Sequence, residues 1–123
     1  MDGDIPGHIP YADDRCIALM SINPIAPGHL LVIPRNEIDQ WTDLDDDLAA
    51  HLIHVARRAG NALRQEFECE RVALMIAGFE VPHCHLHVVP ARNMTDLDFS
   101  RAASSVDHAE LARYSANIAS RLS

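Results

Sequence analysis

The segment His83-Cys84-His85-Leu86-His87-Val88-Val89-Pro90 sets three imidazoles at strict alternation. In an extended strand, side chains at i, i+2 and i+4 share a face, and each step of two residues advances ~6.6 Å. The three rings are therefore expected in a row, with Cys84, Leu86 and Val88 turned toward an apolar layer behind them. Imidazole titrates near neutrality, so it supplies an uncharged nitrogen nucleophile and a protonated donor in the same pH range. Such a row suits attack on phosphorus by one ring while its neighbours hydrogen-bond to the phosphoryl oxygens and the departing group. His85 alone has a histidine on each side and is the expected nucleophile, flanked by His83 and His87. A metal is the competing use of these residues. His83 and His87 would stand ~13 Å apart on a straight strand, too far for one zinc with ligands at ~2.0–2.1 Å. A pair such as His83 and His85, completed by His29 or Glu80, keeps a metallohydrolase reading open.

These rings need a frame. The run 16–20 (CIALM) is short, apolar and bounded by charge and by Asn23-Pro24, so it reads as a strand. Pro27-Gly28 reads as a type II turn, with proline fixing φ at the first corner and glycine accepting positive φ at the second. A second, antiparallel strand follows from His29 to Ile33, and Pro34 ends it. Leu44, Leu48, Leu52, Val55, Ala59, Leu63 and Phe67 recur three or four apart, predicting one long amphipathic helix with Thr42 as its N-cap. Asp43, Asp45, Asp46 and Asp47 are read as capping charge rather than a metal site, and His51 and His54 as exposed flanks. Residues 72–77 read as a strand covered on both sides, antiparallel to the histidine strand. A weaker helical pattern runs over 104–123, with Ser105 as cap.

The 123 residues include 10 Lys plus Arg, all of them arginine, against 18 Asp plus Glu, a formal charge of −8. That sign opposes a protein that tracks a nucleic-acid backbone, and the six aromatics are too few for a base-stacking platform. A small phosphorylated ligand remains open. Three cysteines without a CxxC pair indicate neither a disulfide framework nor a thiolate zinc site. With no apolar run of membrane length, the expectation is a cytoplasmic protein without membrane or nucleic-acid partners.

The histidine motif, with Ala77-Gly78 and Val81 before it and Pro90 after it, resembles the HxHxHxx motif of the histidine-triad (HIT) family. The amino-terminal half is similar to the same family in Ile5-Pro6, Asp13-Asp14 and the run from Pro24 through Gly28-His29 to Pro34. The resemblance covers about residues 4–92 of a single domain spanning 1–123, leaving 93–123 as a C-terminal extension. It implies an α+β HIT-like fold: an antiparallel sheet of about five strands, a long amphipathic helix, a C-terminal helix, and a two-fold homodimer. It further implies a nucleotide phosphohydrolase or nucleotidyl transferase that works through a covalent nucleotidyl-histidine on His85 and needs no cofactor. Its expected substrates are nucleoside phosphoramidates, dinucleoside polyphosphates or related conjugates.

By position, the resemblance has His87 donating toward the phosphate or departing group, His83 holding the network around His85, and His29 completing the cluster. Ile17, Leu19 and Ile22 would contact the base, and Val81 and Glu80 would lie near the phosphate. The chain also departs from the family pattern. Ser21 stands where the family often has a ribose-binding Asp, Val72-Ala73-Leu74 replaces an Asn-x-Gly segment, and Phe79 replaces a Gln. A nucleotide-binding regulatory protein with little turnover is the non-enzymatic alternative.

Overall fold

The computed structural model describes residues 8–79 and 81–122. Five strands, β1 (Tyr11–Ala12), β2 (Cys16–Met20), β3 (Leu30–Pro34), β4 (Arg71–Met75) and β5 (Leu86–Ala91), form one sheet in the order β1-β2-β3-β5-β4. Every neighbouring pair is antiparallel. The helices are α1 (Asp46–Glu66) and α2 (His108–Leu122). This is the expected α+β HIT-like fold, with its five-stranded sheet, long helix and C-terminal helix.

Strand periodicity divides the sheet into two faces. Cys16, Ala18 and Met20 of β2, Leu30 and Val32 of β3, and Leu86 and Val88 of β5 join the core beneath α1. The alternate residues, among them Leu19, Leu31 and His87, lie on the other face, where the pairing sets Leu19 beside Leu31 and Leu31 beside His87. The helix-covered face thus supplies the core, and the opposite face lies outside it.

α1 buries Leu48, Leu52, Val55, Ala59, Ala62 and Leu63 along one stripe. Gly60 lets it approach the sheet, since a Cβ there would meet Val72 Cγ1 at 3.3 Å. α2 packs on α1 through Leu111 and Ile118, and Arg121 Nε donates to Glu66 Oε1 at 2.6 Å.

Several element boundaries differ from the sequence reading. Thr42 does not cap the long helix: Trp41–Asp43 forms a separate 3-10 turn, and Asp45 caps α1 by accepting from the Leu48 amide at 2.8 Å. Any of the clustered acids could have taken that place, and the break at Leu44 selects Asp45. α2 begins at His108, with the Asp107 carboxylate rather than Ser105 accepting from the Ala109 amide at 2.9 Å. β4 is an edge strand and is not covered on both sides, since Leu74 is 46% exposed. Only His87 of the three triad residues lies in a ladder. The Cys84 amide donates to Ile38 O at 2.7 Å instead of to a strand, so residues 83–85 bend across the end of the sheet.

Candidate active site

The Ala26–His29 turn closes with the His29 amide donating to Ala26 O at 3.1 Å, and Gly28 takes φ +88°. That is the expected type II geometry. A Cβ on Gly28 would sit 2.8 Å from the Phe67 ring and 2.9 Å from Pro90 Cγ. The turn is therefore pressed against the end of α1 and β5, and it holds His29 at the mouth of β3, 3% exposed.

Four histidines meet here, and their partners settle where each proton resides. The Ile25 amide donates to His29 Nδ1 at 3.1 Å. A neutral His29 must then carry its proton on Nε2, which lies 2.9 Å from His87 Nδ1 and donates to it. His87 consequently bears its own proton on Nε2. His85 Nδ1 lies 2.7 Å from the His83 carbonyl oxygen. Because a carbonyl only accepts, Nδ1 holds a proton, and in the neutral ring Nε2 keeps its lone pair. His83 Nε2 likewise donates to Pro34 O at 2.7 Å. Burial, and after it the charge of the neighbouring imidazoles His87 and His85, pushes His29 down to about 3. Burial and then His85 push His87 down to about 4. Both rings are neutral at pH 7, as this relay requires.

Straight-strand geometry suggested a row of rings, and His29 joins that row from the lead into β3 to make a cluster. The centroids of His85 and His87 are 4.8 Å apart, and those of His29 and His87 5.2 Å apart. All four histidines line one cavity of about 350 Å³, within the range of small-ligand pockets. Of the residues read as base contacts, Leu19 and Ile22 line it, as do Ser21 at the ribose position and Val81 near the phosphate. Ile17 does not: it is buried opposite Ile33, which takes the lining place. Glu80 lies outside the described residues. Ser21 is 7% exposed, and its Oγ accepts from the Asn23 amide at 3.1 Å. The departure at Phe79 falls away from the cavity, on a ring 97% exposed.

The sequence reading missed Leu31, Ile33, Asn23, Phe99 and Ala102 as lining residues. Strand alternation marks Leu31 and Ile33 as off the core face, whereas no local signal brings Phe99 back from the extension. Of the metal set considered around His83 and His85, His29 has both ring nitrogens hydrogen-bonded, whereas His83 and His85 each have one engaged, at Nε2 and Nδ1. Glu80, the other candidate for that set, is again outside the described residues.

Among the described residues, Asp13, Cys16 and His51 are the group whose ligand atoms all fall within 4.8 Å. His51 is thus not the expected exposed flank, for its Nε2 contacts Asp13 Oδ2 at 2.6 Å. Burial works against the Asp13 carboxylate. Hydrogen bonds from Tyr11, the Arg15 and Cys16 amides and His51 outweigh it and hold the group below the ordinary carboxylate range. Burial first, then Asp13, pushes the Cys16 thiol up to about 12, so it stays protonated. The group pins the β1–β2 turn to α1, on the face away from the cavity.

Residues 2–94 match the HIT domain family. Protein hit of Bacillus subtilis is 33% identical over 93 residues, covering 72% of this chain and 64% of that protein. The bifunctional bis(5'-adenosyl)-triphosphatase/adenylylsulfatase FHIT of Arabidopsis thaliana is 32% identical over 92 residues, covering 71% of this chain and about half, 51%, of the relative. A crystal structure of a Hit-like protein involved in cell-cycle regulation from Bartonella henselae superposes with a TM-score of 0.81 at 26% identity, covering 97% of this chain and 89% of that one. The chain belongs to the HIT family of nucleotide-binding and hydrolase proteins. No helix among the described residues is long and apolar enough to cross a membrane.

Proposed function

We propose that this chain is a nucleotide phosphohydrolase or nucleotidyl transferase acting at an α-phosphorus through a covalent intermediate on His85. One observation carries the reading: the hydrogen-bond relay leaves a lone pair on His85 Nε2 and a proton on His87 Nε2, and both rings line the same cavity. The His85 lone pair forms the N–P bond, and the bond from phosphorus to the departing group breaks with its electron pair. His87 Nε2–H hydrogen-bonds to the departing atom or a phosphoryl oxygen. The His85 ring becomes cationic, and its Nδ1–H points at the His83 carbonyl, which stabilises that charge. Water oxygen then bonds to phosphorus, the N–P pair returns to Nε2, and the proton goes to solvent. A different acceptor in place of water gives transfer. Leu19, Ile22, Leu31 and Ile33 offer an apolar wall for a base.

The test is a panel of nucleoside phosphoramidates, adenylyl sulfate and diadenosine polyphosphates, the last two motivated by the Arabidopsis relative. Rapid quench and peptide mass spectrometry should find a nucleotidyl adduct on His85. An adduct elsewhere, or full turnover by H85A, sinks the assignment.

Ser21 favours one second reading, a nucleotide-binding regulatory protein. Its single hydroxyl, already bonded to the Asn23 amide, is a weaker partner for a ribose diol than a carboxylate. Tight monophosphate binding with no consumption of any panel substrate would select that reading. The homodimer is also proposed, and it is supported by the open edge of β4, where Leu74 is exposed, with Phe79 and Val81 exposed beyond it.

A further inference from the structure

The chain after β5 returns to the site. The Ala103 amide donates to Pro24 O at 2.9 Å, and Asn23 Nδ2 donates to Ala103 O at 3.0 Å, tying the extension to the rim of the cavity. At its near end, the Arg92 amide donates to Asp96 Oδ2 at 3.0 Å. Between these ties, a 3-10 turn at Phe99–Arg101 begins at Asp98, whose Oδ1 accepts from the Ser100 amide at 2.9 Å. The turn aims Phe99 at the histidines. Its ring stands T-shaped to His87, with centroids 4.9 Å apart and planes at 71°, and also to His29 at 6.5 Å and 71°. Phe99 and Ala102 both line the cavity.

We propose that Phe99 is a positioning and specificity-determining residue of this site: its ring covers the His29–His87 hydrogen bond from water and walls the space beside His87. Only the identification of that space with the departing group rests on the phosphoryl-transfer reading.

The physical reason lies in the relay. His87 Nδ1 can accept from His29 Nε2–H only while it holds no proton. A proton there would set two donors face to face 2.9 Å apart and free His87 to rotate. Excluding water makes that charge costly and keeps the acceptor open. The titratable groups facing His87 are His29, on the lead into β3, and His85, just before its own strand. On the extension, Asp96 and Asp98 are turned to Arg92 and Ser100, and neither they nor Arg101 lines the cavity. Cover for the pair from this side is thus apolar. The same ring takes up volume next to the His87 donor, so its removal enlarges the site where a bulky departing group would sit.

The experiment is an imidazole-nitrogen NMR titration of the full chain, comparing wild type, F99A and F99L, with exposed His54 as internal control. In F99A the His87 midpoint should rise by about one pH unit or more toward the ordinary histidine value, with His54 unmoved. F99L keeps an apolar cover and should stay near wild type. In kinetics, F99A should move the acid limb of kcat/KM upward with that midpoint. It should also lower KM for bulky departing groups relative to compact ones, by about tenfold. Should F99A not fold, F99V is read in the same way. An unchanged His87 midpoint in a folded variant overturns the proposal. If wild type turns over no nucleotide, the titration still decides the role of Phe99, while the functional reading alone fails.

Discussion

At His85 the chemistry depends on which ring nitrogen holds the proton, and a backbone carbonyl decides it. The His83 oxygen accepts from Nδ1, so in the neutral ring Nε2 keeps the lone pair that the proposed mechanism uses on phosphorus, with no base needed to free it. H85A should therefore lose turnover by on the order of 10⁴-fold or more. Circular dichroism and melting should remain those of a folded wild-type domain, because the ring fills a ligand cavity and not the core beneath α1. The neighbouring pair has a different signature. His29 and His87 are held at about 3 and about 4 in the fold, against an ordinary 6.5. Between pH 6.5 and 4 the unfolded chain binds protons that the folded pair refuses, so stability is present above that window and is lost as pH falls through it. The unfolding free energy measured by denaturant titration should fall across the window, and with a shallower slope in H87Q. Equal slopes in the two proteins would mean that the pair is not neutral. Asp13, held below the ordinary carboxylate range, adds its loss only in stronger acid.

At the level of elements, the site hangs on one turn and one bend. Pro27-Gly28 carries His29 into the cavity, and Gly28 has positive φ and no space for a Cβ between Phe67 and Pro90. G28A should cost about 1–3 kcal/mol in stability and also weaken activity by moving His29 off His87. A variant of wild-type stability would show that the turn can slide. The bend at 83–85 has its own anchor in the bond from the Cys84 amide to Ile38 O. That bond takes residues 83–85 out of the ladder, and all three histidines of the motif line the one cavity.

Across the whole molecule, the labour of the sheet is divided between its faces. One face, with α1 and α2, forms the core, and the other holds the cavity. The lateral edge at β4 is left open, with Leu74 46% exposed on a strand that has an unpaired flank. If two copies join there, L74R should shift the molar mass measured by light scattering from dimer to monomer while leaving the protomer folded. A wild-type monomer at the same concentration would refute the assembly.

The histidine motif, the Pro-Gly turn and the 3.6-residue stripe of α1 were legible in the sequence because each is set by local geometry: strand alternation, backbone dihedrals and helix period. The resemblance that the motif and the turn carry implied the fold class, and between them they named the four histidines of the cavity. Helix starts were less legible, because several adjacent acids compete to cap α1 and only the surrounding packing selects Asp45. The tertiary structure alone decided three further things. It bent residues 83–85 out of the ladder through a bond to Ile38, some 46 positions away by the numbering. It set Ile33 rather than its cross-strand partner Ile17 in the cavity wall. It also brought Phe99 from the extension onto His87, a contact fixed by hydrogen bonds to Asn23 and Pro24. Contacts between distant segments have no period and leave no local pattern, so only the folded chain can specify them.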